Sequence, residues 1–235
     1  MHHRAKQALI LFALIFPTLA VFTYFAGDPG STKAWYTASK IVQFSLPFLG
    51  VAALGMHRRW KLKITPGELR LGSLSGLGIL MSLTALYWFG LRELSFIGGT
   101  RTAVAAKLAE FGVSGFGGFL LLAAFISLAH SFLEEFYWRG FVFAELREWL
   151  GPKIAYPLAA LGFTGHHVVV IARYAPADQA WLLVPIFSSF VFLAGWIWAA
   201  FFARRGSLIA AWISHFFADV AIMAIGGHLV FGGTP

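Results

Sequence analysis

Apolar runs of about 20 residues, each long enough to cross a bilayer as a helix, follow one another along nearly the whole chain. They fall at 7–26, 36–56, 72–91, 116–141, 154–174, 181–203 and 207–228. Apolar residues surround most of these segments, as helices in lipid or in a membrane bundle require. The expectation is an all-α, polytopic transmembrane helix bundle of about seven spans with a cytoplasmic N-terminus. Charged residues make up 12% of the chain, about half the share of a soluble domain, which agrees. The first run carries no small-residue cleavage site and six runs follow it, so it reads as a retained helix and not a signal peptide.

The net charge of +8 does not point to nucleic acid. Its basic residues cluster between apolar runs, where membrane orientation places them. The loop "MHRRWKLKITPGELR" carries Arg58, Arg59, Lys61, Lys63 and Arg70 and is expected to be cytoplasmic. Arg4, Lys6, Arg147, Lys153, Arg204 and Arg205 then fall on the same side. Lys33, Lys40, Arg92, Arg101, Lys107 and Arg173 fall on or near the other side. Between Arg101 and Gly112 the residues Val104, Leu108 and Phe111 share a helical face, the pattern of a short interfacial helix. Gly72 and Gly76 form a small-xxx-small pair suited to close helix contact. His2, His3, His57 and His228 lie near ends or in loops and read as solvated. There is no cysteine, which excludes a thiol nucleophile, a disulfide and a cysteine-type zinc site.

Against this background a few ionisable side chains stand out inside the runs: His130, Glu134, Glu135, Arg139, His166, His167, His215 and Asp219. Each costs about 2.5–3.5 kcal/mol to insert, so each needs a reason. They occupy only the fourth, fifth and seventh runs. At 1.5 Å per residue His215 lies about 12 Å, His167 about 20 Å and Glu134 about 10 Å from the cytoplasmic ends of their spans. Three clusters at comparable depth are not expected by accident.

Helical spacing separates the two glutamates. Glu135 and Arg139 are four apart, acid first, and form the natural ion pair. Glu134 diverges from Arg139 and shares its face with His130. His215 with Asp219, and Phe163 with His167, are further pairs at four residues. A carboxylate held in an apolar site with a water and imidazoles beside it suits general acid–base chemistry on a peptide bond. No Ser-His-Asp order stands out, and H-E-x-x-H is absent.

These residues carry a family resemblance. "EEFYWR" resembles the E-E-x-x-x-R motif of the CPBP family, the CAAX proteases and bacteriocin-processing enzymes, also called the Abi family. "FTGHH" resembles its F-x-x-x-H motif through Phe163 and His167. "HFFAD" is similar to its H-x-x-x-N motif through His215, with Asp219 where Asn is usual. The resemblance covers about residues 116–225. It implies a division into N-terminal transmembrane helices with an interfacial segment at 1–115 and a catalytic core at 116–235. It implies an intramembrane endopeptidase, of which eukaryotic members remove the last three residues of prenylated CAAX proteins. Carried over by position, Glu134 activates water with His167, while His215 with Asp219 stabilises the oxyanion. Glu135, Arg139 and Phe163 support that geometry, and His130 and His166 stand behind them.

Several readings stay open at this stage. The chemistry is expected to need no cofactor. The alternative is a zinc-dependent metalloprotease with Glu134, His167 and His215 as ligands. The same residues would also suit a non-catalytic membrane scaffold or a proton-coupled transporter. The expected setting is a prokaryotic inner or plasma membrane. Expected partners are membrane lipid and a peptide or protein substrate entering from the cytoplasmic half, with no nucleic acid.

Overall fold

The computed structural model describes residues 2–27, 29–56, 61–94, 97–113 and 115–232, with side chains for all of these except 2 and 29–33. His57, Arg58 and Arg59 of the basic loop, and the side chains of His2 and Lys33, lie outside what is described. Ten α-helices follow in order among the described residues: α1 His2–Ala26, α2 Pro29–Leu54, α3 Pro66–Leu86, α4 Ile97–Glu110, α5 Phe116–Ala124, α6 Ser131–Tyr137, α7 Ala144–Leu150, α8 Pro152–Tyr174, α9 Ala180–Arg205 and α10 Ile209–Phe231. Two π-helical turns, Phe125–His130 and Trp138–Phe143, join the α segments on either side of them without a break, and a third, Tyr87–Leu91, continues α3. No strand occurs among the described residues. Among the described residues, seven helical stretches are long and apolar enough to cross a membrane, as expected for an all-α polytopic bundle.

The exposure pattern is that of a protein solvated by lipid. Phe89, Leu121, Trp181 and Met81 are among the most exposed side chains, while Glu134, Glu135 and Arg139 are buried. Large apolar groups gain nothing by hiding from hydrocarbon, and charges do.

The chain forms two compact units. The first comprises Met1–Leu62, Glu134–Arg173 and Trp181–Leu208. Here α1 packs on α2, pinned by Trp35 Nε1 donating to Thr23 Oγ1 at 2.8 Å. Tyr137 donates its hydroxyl to the Ala13 carbonyl at 2.7 Å, and its ring meets Phe44 edge-on at 6.2 Å. Both N-terminal spans thereby reach the segment that carries Glu134. Tyr137, Trp138, Val142, Phe143 and Leu146 are almost wholly buried.

The second unit comprises Lys63–Leu133, Tyr174–Ala180 and Ile209–Pro235. Its main contact is α3 against α10. Gly72 and Gly76 make it possible: a Cβ at Gly72 would stand 2.8 Å from the Ala210 carbonyl oxygen, and one at Gly76 2.6 Å from the Phe217 ring. Thr65 caps α3 by accepting from the Glu68 amide at 3.2 Å, with Pro66 in the first turn. Glu68 itself accepts from the Ala210 amide at 3.1 Å. A carboxylate at a helix N-terminus is favourably placed for both the unmet amides and the helix dipole. Glu68 thus anchors the start of the helix that bears His215.

Two local expectations need correcting. The helix of the fourth span does not end near Phe141 but runs on to Leu150. Glu145, Arg147 and Glu148 look like a stop, yet Ala144 and Leu146 stay buried and the helix ends only at Gly151, whose φ is +77°. Glu134 therefore lies about 24 Å along the helix from its Leu150 end, not close to it. The helix expected between Arg101 and Gly112 exists as α4, but Phe111 lies just past its end and is exposed; Leu108 is the buried member of that face.

Candidate active site

The two glutamates of α6 do different things. Arg139, in the π-helical turn after α6, donates Nη1 to Glu135 Oε1 at 2.9 Å, and both side chains are fully buried. Its Nη2 donates to the Gly195 carbonyl of α9 at 3.2 Å. The guanidinium lies over Phe163 at 4.4 Å and Trp198 at 5.1 Å, faces that attract a cation. A Cβ at Gly195 would come within 3.1 Å of the Phe163 ring and 3.5 Å of Arg139 Nη2, so a glycine there lets the arginine reach the α9 backbone.

Glu134 is buried too, at 3% exposure, but its carboxylate turns to α8: Oε1 lies 3.3 Å from His166 Nε2. The His166 ring stacks parallel to Trp138 at 5.8 Å, with 5° between planes, and touches the His167 ring at 4.1 Å. His167 Nδ1 lies 2.9 Å from the Phe163 carbonyl oxygen. A carbonyl can only accept, so Nδ1 carries a proton, and in the neutral ring Nε2 then carries the lone pair. Phe163 thus acts through its backbone as well as through its ring. Gly162 and Gly165 bring α8 close to α1, with Cβ positions 2.5 Å from Leu14 and from Thr18.

Ligand atoms of Glu134, His166 and His167 all fall within 4.8 Å of one another. A carboxylate and two imidazoles are a usual donor set for catalytic zinc, and the His167–Phe163 bond is the kind of outer contact that orients a ligating histidine. The residues present therefore fit a zinc ion, with His166 joining the two ligands expected from this unit.

The remaining expected residues lie in the second unit. His215 is buried in α10, and its Nε2 is 3.7 Å from Asp219 Oδ1. That is close enough for attraction and too long for a hydrogen bond. His130 closes the π-helical turn Phe125–His130 and is half-buried.

Residues 116–221 match the type II CAAX prenyl endopeptidase Rce1-like family. All three motifs lie inside that segment, so the resemblance they carry is borne out. The family is one of CAAX-type proteases, and the buried glutamate and histidines belong to its segment. No curated protein and no solved structure matches the chain. The Rce1-like segment begins with α5 and ends within α10, and α1 to α4 lie outside it.

Those outer helices nonetheless supply polar groups that sequence reasoning missed. Lys40 and Tyr36 of α2 lie within electrostatic range of Glu134, and Lys40 is within range of His166 as well. Gln43, one turn on, is 2% exposed and accepts from Lys40 Nζ at 3.2 Å. The signal was present: Tyr36, Ser39, Lys40 and Gln43 form a polar stripe at helical spacing in an otherwise apolar span.

Proposed function

We propose that the protein is an intramembrane endopeptidase in which Glu134 activates a water for attack on a peptide bond of a membrane-associated protein or peptide. The observation that supports this most is the separation of the paired carboxylates. Glu135 is committed to Arg139, while Glu134 is held beside His166 and near His167 in a buried site.

In this reading Glu134 takes a proton from water as the water oxygen bonds to the carbonyl carbon and the carbonyl electron pair moves onto its oxygen. His167, fixed by Phe163, accepts a hydrogen bond from the same water through Nε2. His215 and Asp219 enter through the third motif alone: His215 donates to the oxyanion, and an ionised Asp219 orients it. Collapse of the tetrahedral intermediate breaks the C–N bond, and Glu134 returns its proton to the leaving amine. The catalytic core in this account is 116–235, with substrate arriving from the cytoplasmic half of a prokaryotic plasma membrane.

A second reading has one observation in its favour, the close grouping of Glu134, His166 and His167. A zinc ion held there would polarise a carbonyl and acidify a water.

The test is a comparison of protein termini in membranes carrying wild-type protein or Glu134→Ala. Substrate termini present with wild-type and lost with the variant support a protease. Identical termini in the two membranes would instead favour a scaffold or transporter.

A further inference from the structure

Lys40 is unusual among the cations of this chain. It sits within a span, part-buried, and among the described residues no carboxylate pairs with it directly. Its contacts are the Gln43 amide oxygen at 3.2 Å and the faces of Tyr36 at 5.7 Å and Phe44 at 5.6 Å. Arg139, a fully buried cation of the same unit, is used up by Glu135 and the Gly195 carbonyl.

Gln43 adds an independent observation. It is 2% exposed, yet among the described residues its Nε2 has no hydrogen-bond partner. Turning the amide over would not cure this, because it would set an NH2 group against the Lys40 ammonium. Buried donors are normally satisfied, so a pair of N–H groups left open next to an ammonium calls for an acceptor from outside the chain. An ammonium and an amide N–H side by side match the two oxygens of a carboxylate.

We propose that Lys40 and Gln43 form a carboxylate-binding subsite that holds an anionic group of the substrate beside Glu134. The proposal rests on the endopeptidase reading. A peptide reaching Glu134 inside the membrane carries its carboxylate either at a free C-terminus or on an acidic side chain. In either case that group meets repulsion from Glu134, and Lys40 offsets it. The subsite then sets where along the chain the cut falls, because the bond presented to Glu134 lies a fixed distance from the bound carboxylate. Lys40 and Gln43 are positioning residues in this account and do not take part in bond making.

The test uses the full-length protein in detergent and three fluorescently labelled apolar hexapeptides of one sequence. One has a free C-terminal carboxylate, one a C-terminal amide, and one an amide with an aspartate at its last position. Binding is read by anisotropy up to millimolar peptide. The free acid is expected to bind about tenfold or more tightly than the amide, the scale of one charge-assisted contact. The preference should vanish in Lys40→Met, survive in Lys40→Arg and weaken in Gln43→Leu. Recovery of affinity by the aspartate peptide would assign the site to acidic side chains, and no recovery would assign it to a free C-terminus. Equal binding of acid and amide to wild-type protein, or no binding of either, overturns the proposal and leaves Lys40 as a fixed countercharge for Glu134. No cleavage is needed for this readout. Failure of the endopeptidase reading would appear separately, as unchanged termini with Glu134→Ala.

Discussion

Glu134 Oε1 lies 3.3 Å from His166 Nε2, on a different helix and away from the arginine five residues further on. That contact sets His166 beside the carboxylate proposed to activate water, whereas the family resemblance had put it behind His167. His166→Ala should lower kcat/KM by about 10²-fold or more, the range of one acid–base partner, and, because the ring packs against Trp138, should also lower the melting temperature. Wild-type turnover in this variant would return His166 to a packing role against Trp138.

The buried Glu135–Arg139 pair should matter for folding. Glu135→Gln strands a buried guanidinium and is expected to destabilise by about 3–5 kcal/mol. Glu135→Gln with Arg139→Met removes both charges and should recover part of that loss. Melting in detergent checks both; a double variant no better than the single one would mean that the Gly195 and aromatic contacts of Arg139 dominate.

Close contact of α3 and α10 gives a paired test. Gly72→Ala places a methyl group 2.8 Å from the Ala210 carbonyl oxygen and 2.8 Å from Ile213 Cβ, so helix backbone must shift, at about 1–3 kcal/mol. Gly78→Ala on the same helix meets nothing within 4 Å and should leave the melting temperature unchanged or slightly raised. Equal effects of the two would remove the packing argument.

What could be read from the chain follows from the physics of each feature. Spans were legible because hydrocarbon thickness demands about 20 apolar residues whatever the neighbours are. The Glu135–Arg139 pair was legible because four residues is a local helical distance. The Glu134–His166 contact was not. His166 and His167 are adjacent, about 100° apart around α8, and only the rotation of that helix decides which one meets the glutamate. Lys40 was hidden because a lysine near a span end looks like a topological charge. The end of the fourth span was missed because Glu145, Arg147 and Glu148 signal water, while Gly151 is what stops the helix. Glu68 looked like one more loop charge until the start of α10 was placed against it.

Metal dependence separates the two chemical readings. Activity is expected to survive a strong chelator, since a carboxylate-activated water needs no ion. Stoichiometric zinc in the purified protein, with activity lost on its removal and restored on its return, would move the assignment to zinc held by Glu134, His166 and His167.

The central claim is that the two glutamates divide the labour, Glu134 handling the water and Glu135 holding Arg139. The most direct measurement compares peptide cleavage and thermal melting of Glu134→Gln and Glu135→Gln in detergent. Glu134→Gln keeps the shape and removes the base, so it should abolish cleavage at a nearly unchanged melting temperature, whereas Glu135→Gln should melt clearly lower. Normal cleavage by Glu134→Gln, together with a stable but inactive Glu135→Gln, would reverse the assignment and contradict the account.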